Sequence, residues 1–171
     1  MNLRRGLLAA GLACALAGPP PARAAEGPPA GEWRSFEGTW TATGRRETVP
    51  VEGGGTAAVV EVSGAVSLTR AEGLGSGFLG KAIGFDDGRG ASEARCVWTD
   101  RNGDQVFSRL EGESLEAGKR FVGTITGGTG RYAGLEGEYS FTWQYLVSED
   151  PASIQGRAVG LAGRARRAGA P

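Results

Sequence analysis

Apolar and polar residues alternate along most of the chain, which is the period of a β-strand whose two faces meet different surroundings. Residues 55–69 show this most clearly, because one face is apolar and the other is polar or charged. The apolar positions are Ala58, Val60, Val62, Val66 and Leu68, and the opposite ones are Glu61, Ser63, Ser67 and Thr69. The alternation predicts eight strands, at residues 32–51, 55–69, 78–85, 91–99, 105–112, 120–126, 136–147 and 154–161.

The same pattern indicates how the strands are connected. No window of a dozen residues carries the apolar stripe of a helix, and the 31 glycines disfavour long helices, since each interior Gly costs roughly 1 kcal/mol relative to Ala. Short strands separated by turn signals favour an antiparallel meander closed into a barrel, which leaves no exposed sheet edge. We therefore predict an all-β fold, a single antiparallel eight-stranded β-barrel, with a two-sheet sandwich as the alternative.

The first 24 residues have the pattern of an export signal peptide. Arg4 and Arg5 precede a short apolar run at residues 6–17, three prolines follow, and Ala22-Arg23-Ala24 is a small-x-small cleavage pattern. As a helix, the apolar run would rise only about 18 Å, against roughly 30 Å for a bilayer core. We expect cleavage near Ala24, no stable membrane insertion, and a periplasmic or secreted protein. The general and twin-arginine export routes both stay open.

Composition divides the remaining chain into a barrel domain with two tails. Residues 25–31 are rich in Pro and Gly and are predicted to form a disordered lead-in. Residues 32–162 contain no second break in composition and are predicted to form the barrel domain. Residues 163–171 contain three Arg and no apolar residue larger than Ala, so they are predicted to be a disordered basic tail.

Several classes of function are excluded by composition. The chain has no His, which rules out Ser-His-Asp triads and His-containing zinc sites. Its 19 basic and 19 acidic residues give no basic stripe for nucleic acid. Asp100, Asn102 and Asp104 have the spacing of a calcium loop, but Gln105 stands where that loop needs Gly. A hairpin turn accounts for the same residues, and neither a metal nor a cofactor is predicted.

The turn at residues 100–104 predicts the pairing of its two strands. Asn102-Gly103 suits a two-residue type I′ turn, in which both positions have positive φ. In that register Trp98 pairs with Phe107 and Cys96 pairs with Arg109. If this face lines the barrel, Cys96 and Arg109 are polar groups in an aromatic-walled cavity. In the alternative, the opposite face with Val97, Val106 and Leu110 forms the core. We favour the first arrangement.

Aromatic residues supply the other candidates for a cavity wall. Tyr139, Phe141, Trp143 and Tyr145 fall on one face of the seventh predicted strand. They either fill the core, as aromatics commonly do, or line a pocket, because an eight-stranded barrel has room for one small ligand or none. The complete set of candidate lining residues is Trp40, Cys96, Trp98, Phe107, Arg109, Tyr139, Phe141, Trp143 and Tyr145.

A strand that runs into Gly127-Gly128-Thr129-Gly130-Arg131-Tyr132-Ala133-Gly134 is the most distinctive stretch of the chain. It resembles the hairpin of the allene oxide cyclase and dirigent protein superfamily. Gly38-Thr39-Trp40 is more faintly similar to the opening of lipocalins, which are also eight-stranded barrels. In structural terms, Gly127, Gly128, Gly130 and Gly134 let the backbone take positive φ and a sharp corner.

The resemblance implies a small barrel that binds a hydrophobic molecule, that in some members steers its cyclisation, and that associates as a dimer or trimer. No catalytic residue is carried over from it. The first hypothesis is a binding protein for a small apolar ligand. The second is an isomerase or cyclase of an unsaturated lipid-like or terpenoid substrate, which needs a buried acid such as Glu61 or a tuned Cys96 thiol at the cavity. The third is a filled barrel with a structural role in the cell envelope.

Overall fold

The computed structural model describes residues 31–71, 73–114, 118–146 and 152–168. The predicted signal peptide, residues 25–30 of the predicted lead-in and the last three residues lie outside this part of the chain. The described residues form eight strands and one short 3-10 helix, Gly130–Tyr132. The strands are β1 Arg34–Pro50, β2 Thr56–Ala71, β3 Gly77–Asp86, β4 Ser92–Asp100, β5 Gln105–Gly112, β6 Arg120–Gly128, β7 Leu135–Tyr145 and β8 Ser153–Arg167.

Each strand pairs antiparallel with the next, and β8 pairs with β1, so the sheet closes into a barrel. This confirms the predicted all-β, eight-stranded antiparallel barrel, and the two-sheet sandwich is wrong. Closure gives every strand two hydrogen-bonded neighbours, which removes the exposed edges that open sheets must protect. Irregular pairing, such as that of β1 at Gly38 with both neighbouring strands, bends the sheet around the barrel.

Burial alternates along the strands as the sequence pattern requires. On β2 the predicted apolar face is buried, while Glu61 on the other face is exposed to solvent. The interior is dominated by aromatic and branched side chains that form one continuous core cluster. The barrel is therefore a sheet folded around its own apolar face. Its outer face carries polar residues and also exposed apolar ones, among them Val59, Ile83 and Phe85.

Glycines on the inner wall make room for the largest rings. The Tyr139 ring lies over Gly123, its partner on β6, and the Phe36 ring tip lies over Gly163, which pairs with Tyr139 on the other side. The Trp143 ring covers Gly156 of β8 in the same way. A Cβ at any of these glycines would overlap ring atoms, so the absence of a side chain is what admits the ring.

The C-terminal segment corrects one prediction. Gly163–Arg167 is the end of β8, so the disordered tail predicted to start at residue 163 is wrong over these residues. It pairs with β1 on one side and β7 on the other, and Ala165 is buried between them. Outside the barrel, Arg164 and Arg166 bind Glu138 and Glu136. Their guanidinium carbons lie 4.8 and 4.5 Å from the ring centre of Trp33.

The β4–β5 hairpin corrects a second prediction. Trp98 pairs with Val106, not with Phe107, and Cys96 pairs with Ser108 instead of Arg109. The loop contains three residues, because Asp100 and Asp104 pair through the Asp100 N–H and the Asp104 carbonyl. Positive φ occurs at Gly103 and not at Asn102, so the predicted type I′ turn is wrong. The shift by one residue turns Phe107 and Arg109 to the outside.

The glycine-rich corner between β6 and β7 contains the 3-10 helix. Gly127, Gly130 and Gly134 have positive φ, at 147°, 51° and 71°. Gly128 does not, but a Cβ there would meet the backbone carbonyl of Gln105 on β5. The corner places Tyr132 fully inside the barrel, where its ring lies 5.7 Å from that of Phe78. It therefore closes this end of the barrel.

Candidate functional site

An apolar pocket occupies the opposite half of the lumen, toward the end where β1, β3, β5 and β7 finish. We call this the open end. The pocket holds about 480 Å³ of empty space, counted with the space open to solvent at its mouth, and the centre of a water molecule can occupy about 50 Å³ of it. It is lined by aromatic and aliphatic side chains together with Gly84: Trp40, Phe121, Phe141, Trp143, Tyr145, Val60, Val62, Ala82, Ala94, Leu110 and Ile154.

The aromatic wall of the pocket is a chain of touching rings. Trp40 meets Phe141 edge-on at 6.1 Å and Trp143 at 5.7 Å between ring centres. Phe121 and Phe141 stack at 5.5 Å. Edge-on and stacked contacts are the preferred arrangements of aromatic rings, so packed rings form one side of the pocket. Facing it are short side chains, above all Ala82 and Ala94, which leave the space empty.

The other half of the lumen is filled. Trp98 packs against Tyr139, Phe78 and Phe36, with ring centres 4.9, 5.9 and 6.2 Å apart. Beyond them the Tyr132 hydroxyl donates to the Asp100 carboxylate at 3.1 Å. The pocket therefore has a floor of packed rings and opens at one end.

Three polar groups lie in that floor, one layer below the pocket. Cys96, Ser108 and Tyr139 are each two residues from a lining residue of the same strand, and the Ser108 and Tyr139 hydroxyls are hydrogen-bonded at 2.7 Å. Burial raises the pKa of the Cys96 thiol to about 12, although Ser108 acts in the opposite direction. Burial also raises the pKa of Tyr139 well above its ordinary value. Both groups are therefore neutral at physiological pH, and Cys96 is not a thiolate nucleophile.

The mouth of the open end is polar. Its wide cavity, about 1210 Å³ with the solvent it holds, is lined by Arg46, Thr56, Asp86, Glu113, Ser114 and Lys119, among others. Asp86 accepts a hydrogen bond from the backbone N–H of Gly88 at 2.8 Å. Glu113 forms an ion pair with Lys119 at 3.5 Å. An apolar lumen thus opens into a charged rim.

The structure separates the predicted lining residues into three groups. Trp40, Phe141, Trp143 and Tyr145 line the pocket. Cys96, Trp98 and Tyr139 point inward but lie in the packed floor. Phe107 and Arg109 lie on the outer face, where Arg109 forms ion pairs with Glu93 and Glu111 at 3.5 and 2.7 Å. Outward placement follows from the hairpin register, so the prediction that these two residues line the lumen is wrong.

Sequence reasoning missed the aliphatic side of the pocket. Ala82, Ala94 and Leu110 occupy apolar positions of alternating strands. Their inward direction could have been read from that alternation. The space in front of them could not, because it depends on how far across the barrel the rings of β1 and β7 reach.

The acidic residues considered for catalysis or calcium binding lie outside the pocket. Glu61, the acid considered for an enzyme, is exposed on the outer face of β2. Asp100 Oδ1 accepts from the N–H groups of Asn102 and Asp104 at 2.8 and 3.1 Å. The calcium-like spacing thus serves the turn. Among the described residues, no group of three or more Cys, Asp or Glu side chains is arranged to hold a metal ion.

Comparisons with protein-family models, curated proteins and solved structures return no match to this chain. In the part of the chain that the structure describes, no helix has the length and apolar character needed to cross a membrane.

Proposed function

We propose that this protein binds a small apolar or aromatic molecule in the lumen of its barrel, which the molecule enters through the open end. The observation that carries the proposal is the aromatic-walled pocket between a packed floor and a solvent-exposed mouth. Small-molecule sites are typically concave, apolar and largely preformed. The open pocket favours this function over a filled barrel with a structural role.

The isomerase or cyclase alternative has less support. Along the described pocket wall, the one ionisable side chain is Tyr145. The two groups considered for acid–base or thiol chemistry are placed elsewhere, Glu61 outside the barrel and Cys96 as a neutral thiol in the floor. General acid–base catalysis needs a titratable group within hydrogen-bonding reach of the reacting atoms. Membership of the allene oxide cyclase and dirigent superfamily stays a prediction, as does a dimer or trimer.

Export is part of the proposal. Cleavage near Ala24 would deliver the barrel to the periplasm or the outside of the cell, where exposed thiols are readily oxidised. Cys96 is 1% exposed, which suits such a compartment. Intact-mass measurement of protein recovered from the periplasm and from the medium tests this. A mass that still includes residues 1–24 contradicts it.

Ligand binding is tested with naphthalene, an uncharged flat two-ring probe, through the protein's own tryptophan fluorescence, since Trp40 and Trp143 line the pocket. We expect saturable binding by the wild type. Ala82→Leu should weaken it at least about tenfold, because the added carbons fill the space opposite the rings. Ala65→Leu, on the exposed face of β2, is the matched control and should bind as the wild type does. Absence of any saturable change in the wild type would refute the proposal.

A further inference from the structure

We propose that the ligand is a small aromatic amphiphile with one anionic group, and that Arg46 holds that group at the mouth while the apolar body lies beside Trp40 and Trp143. This rests on the proposed function and deepens it, because it names the ligand's chemical class and a residue that selects it.

Arg46 stands at the junction of lumen and mouth. It follows Trp40, Ala42 and Gly44 on the inward face of β1 and is partly buried, while Arg45 beside it is exposed. Its pairing partner is Val60, which lines the apolar pocket, and its side chain lines the polar mouth. An Arg at this position places its aliphatic stem beside the pocket and its guanidinium in the rim.

One donor of the Arg46 side chain lacks an acceptor: its Nε is buried and has no hydrogen-bond partner within the described residues. The acids of the mouth are engaged elsewhere, Asp86 with the Gly88 N–H and Glu113 with Lys119. A buried donor of a charged group that lacks an acceptor carries its full desolvation cost. The Oγ of Ser92, which pairs with Asp86, is also buried without a partner among the described residues.

The missing partner is an oxyanion. A guanidinium presents a planar fork of donors that matches a carboxylate, sulfonate or phosphate, and charge-assisted hydrogen bonds of this kind are the strong ones. The narrow pocket behind it, with packed rings on one side, suits a flat body of one or two rings. The apolar body and the anionic end of the ligand thus match neighbouring parts of one cavity.

Two fluorescent probes with the same flat two-ring body test this. Naphthalene-2-sulfonate carries one anionic group, and naphthalene carries none. Each is titrated into the wild type, Arg46→Gln and the matched control Arg45→Gln. We expect Arg46→Gln to weaken sulfonate binding about tenfold or more and to change binding of the uncharged probe less than about twofold. Arg45→Gln should leave both affinities unchanged.

Two further measurements keep the test decisive. Arg46→Lys retains the charge without the planar fork and should give an intermediate sulfonate affinity, which covers the case in which Arg46→Gln does not fold. In the wild type, added salt should weaken binding of the sulfonate and not of the uncharged probe. Equal loss of both probes in Arg46→Gln, or no loss of the sulfonate, overturns the inference and leaves the proposed function standing. If neither probe binds the wild type, both proposals fail.

Discussion

Cys96 shows how strongly position controls the chemistry of one side chain. It sits in the packed floor of the lumen beside Ser108 and Tyr139, where burial raises the pKa of its thiol to about 12. An unfolded thiol ionises near pH 8.5. Between these values the unfolded chain loses a proton that the folded protein keeps. Folding is therefore opposed increasingly as the pH rises through this window.

We expect the free energy of unfolding to fall by about 2 kcal/mol between pH 8.5 and 10, since a thiol that ionises only in the unfolded chain contributes about 1.4 kcal/mol per pH unit. Urea unfolding at several pH values measures the slope. Cys96→Ala should be less stable at neutral pH but should show a much flatter pH dependence. Parallel slopes for the two proteins would contradict a buried neutral thiol.

The β4–β5 hairpin shows that a local sequence pattern is not sufficient to predict strand register. Asp100–Asp104 contains Asn-Gly, which is typical of a two-residue turn, yet the chain closes a three-residue loop around Arg101, Asn102 and Gly103. The alternation on β5 fits either register, because Val106, Ser108 and Leu110 can face inward in both. The Asp100 carboxylate stabilises the longer loop, because it accepts from the N–H groups of Asn102 and Asp104 and from the hydroxyl of Tyr132, a residue distant in sequence.

Asp100→Ala should therefore destabilise the protein by about 2–4 kcal/mol, because it removes hydrogen bonds from both the hairpin and the 3-10 helix that closes this end. Tyr132→Phe removes one of them and should cost about 1–2 kcal/mol. Thermal and urea unfolding measure both changes. If Asp100 acts mainly through the loop, Tyr132→Phe will match the wild type, and the link between the two elements would be wrong.

Closure of the barrel explains why the fold was predictable and the end of the C-terminal strand was not. Alternation of apolar and polar residues predicts all eight strands, including residues 154–161 of β8. The end of β8 is built from Gly, Ala and Arg, and its inward residues are as small as Gly163 and Ala165. No local pattern marks it as a strand. Its conformation comes from β1 and β7, which supply hydrogen-bonding partners on both sides.

A chain that stops after Ala162 should lose on the order of 4 kcal/mol of stability, since backbone hydrogen bonds to both neighbouring strands are lost and the exposed ion pairs contribute little. A chain that stops after Ala168 keeps β8 complete and is the matched control. Circular dichroism during heating measures both. Equal melting temperatures for the two chains would show that residues 163–167 do not hold the barrel closed.

The glycines under the rings of Tyr139 and Trp143 link the residue types that two positions distant in sequence can accept. Neither partner can change alone at low cost, since a methyl group at Gly123 would displace the ring of Tyr139, and a smaller residue at 139 would leave a void above Gly123. Such a pair changes by compensation, with one member shrinking as the other grows. We therefore expect substitutions inside this lumen to occur in pairs on neighbouring strands, because the shape of the lumen depends on both residues of a pair together.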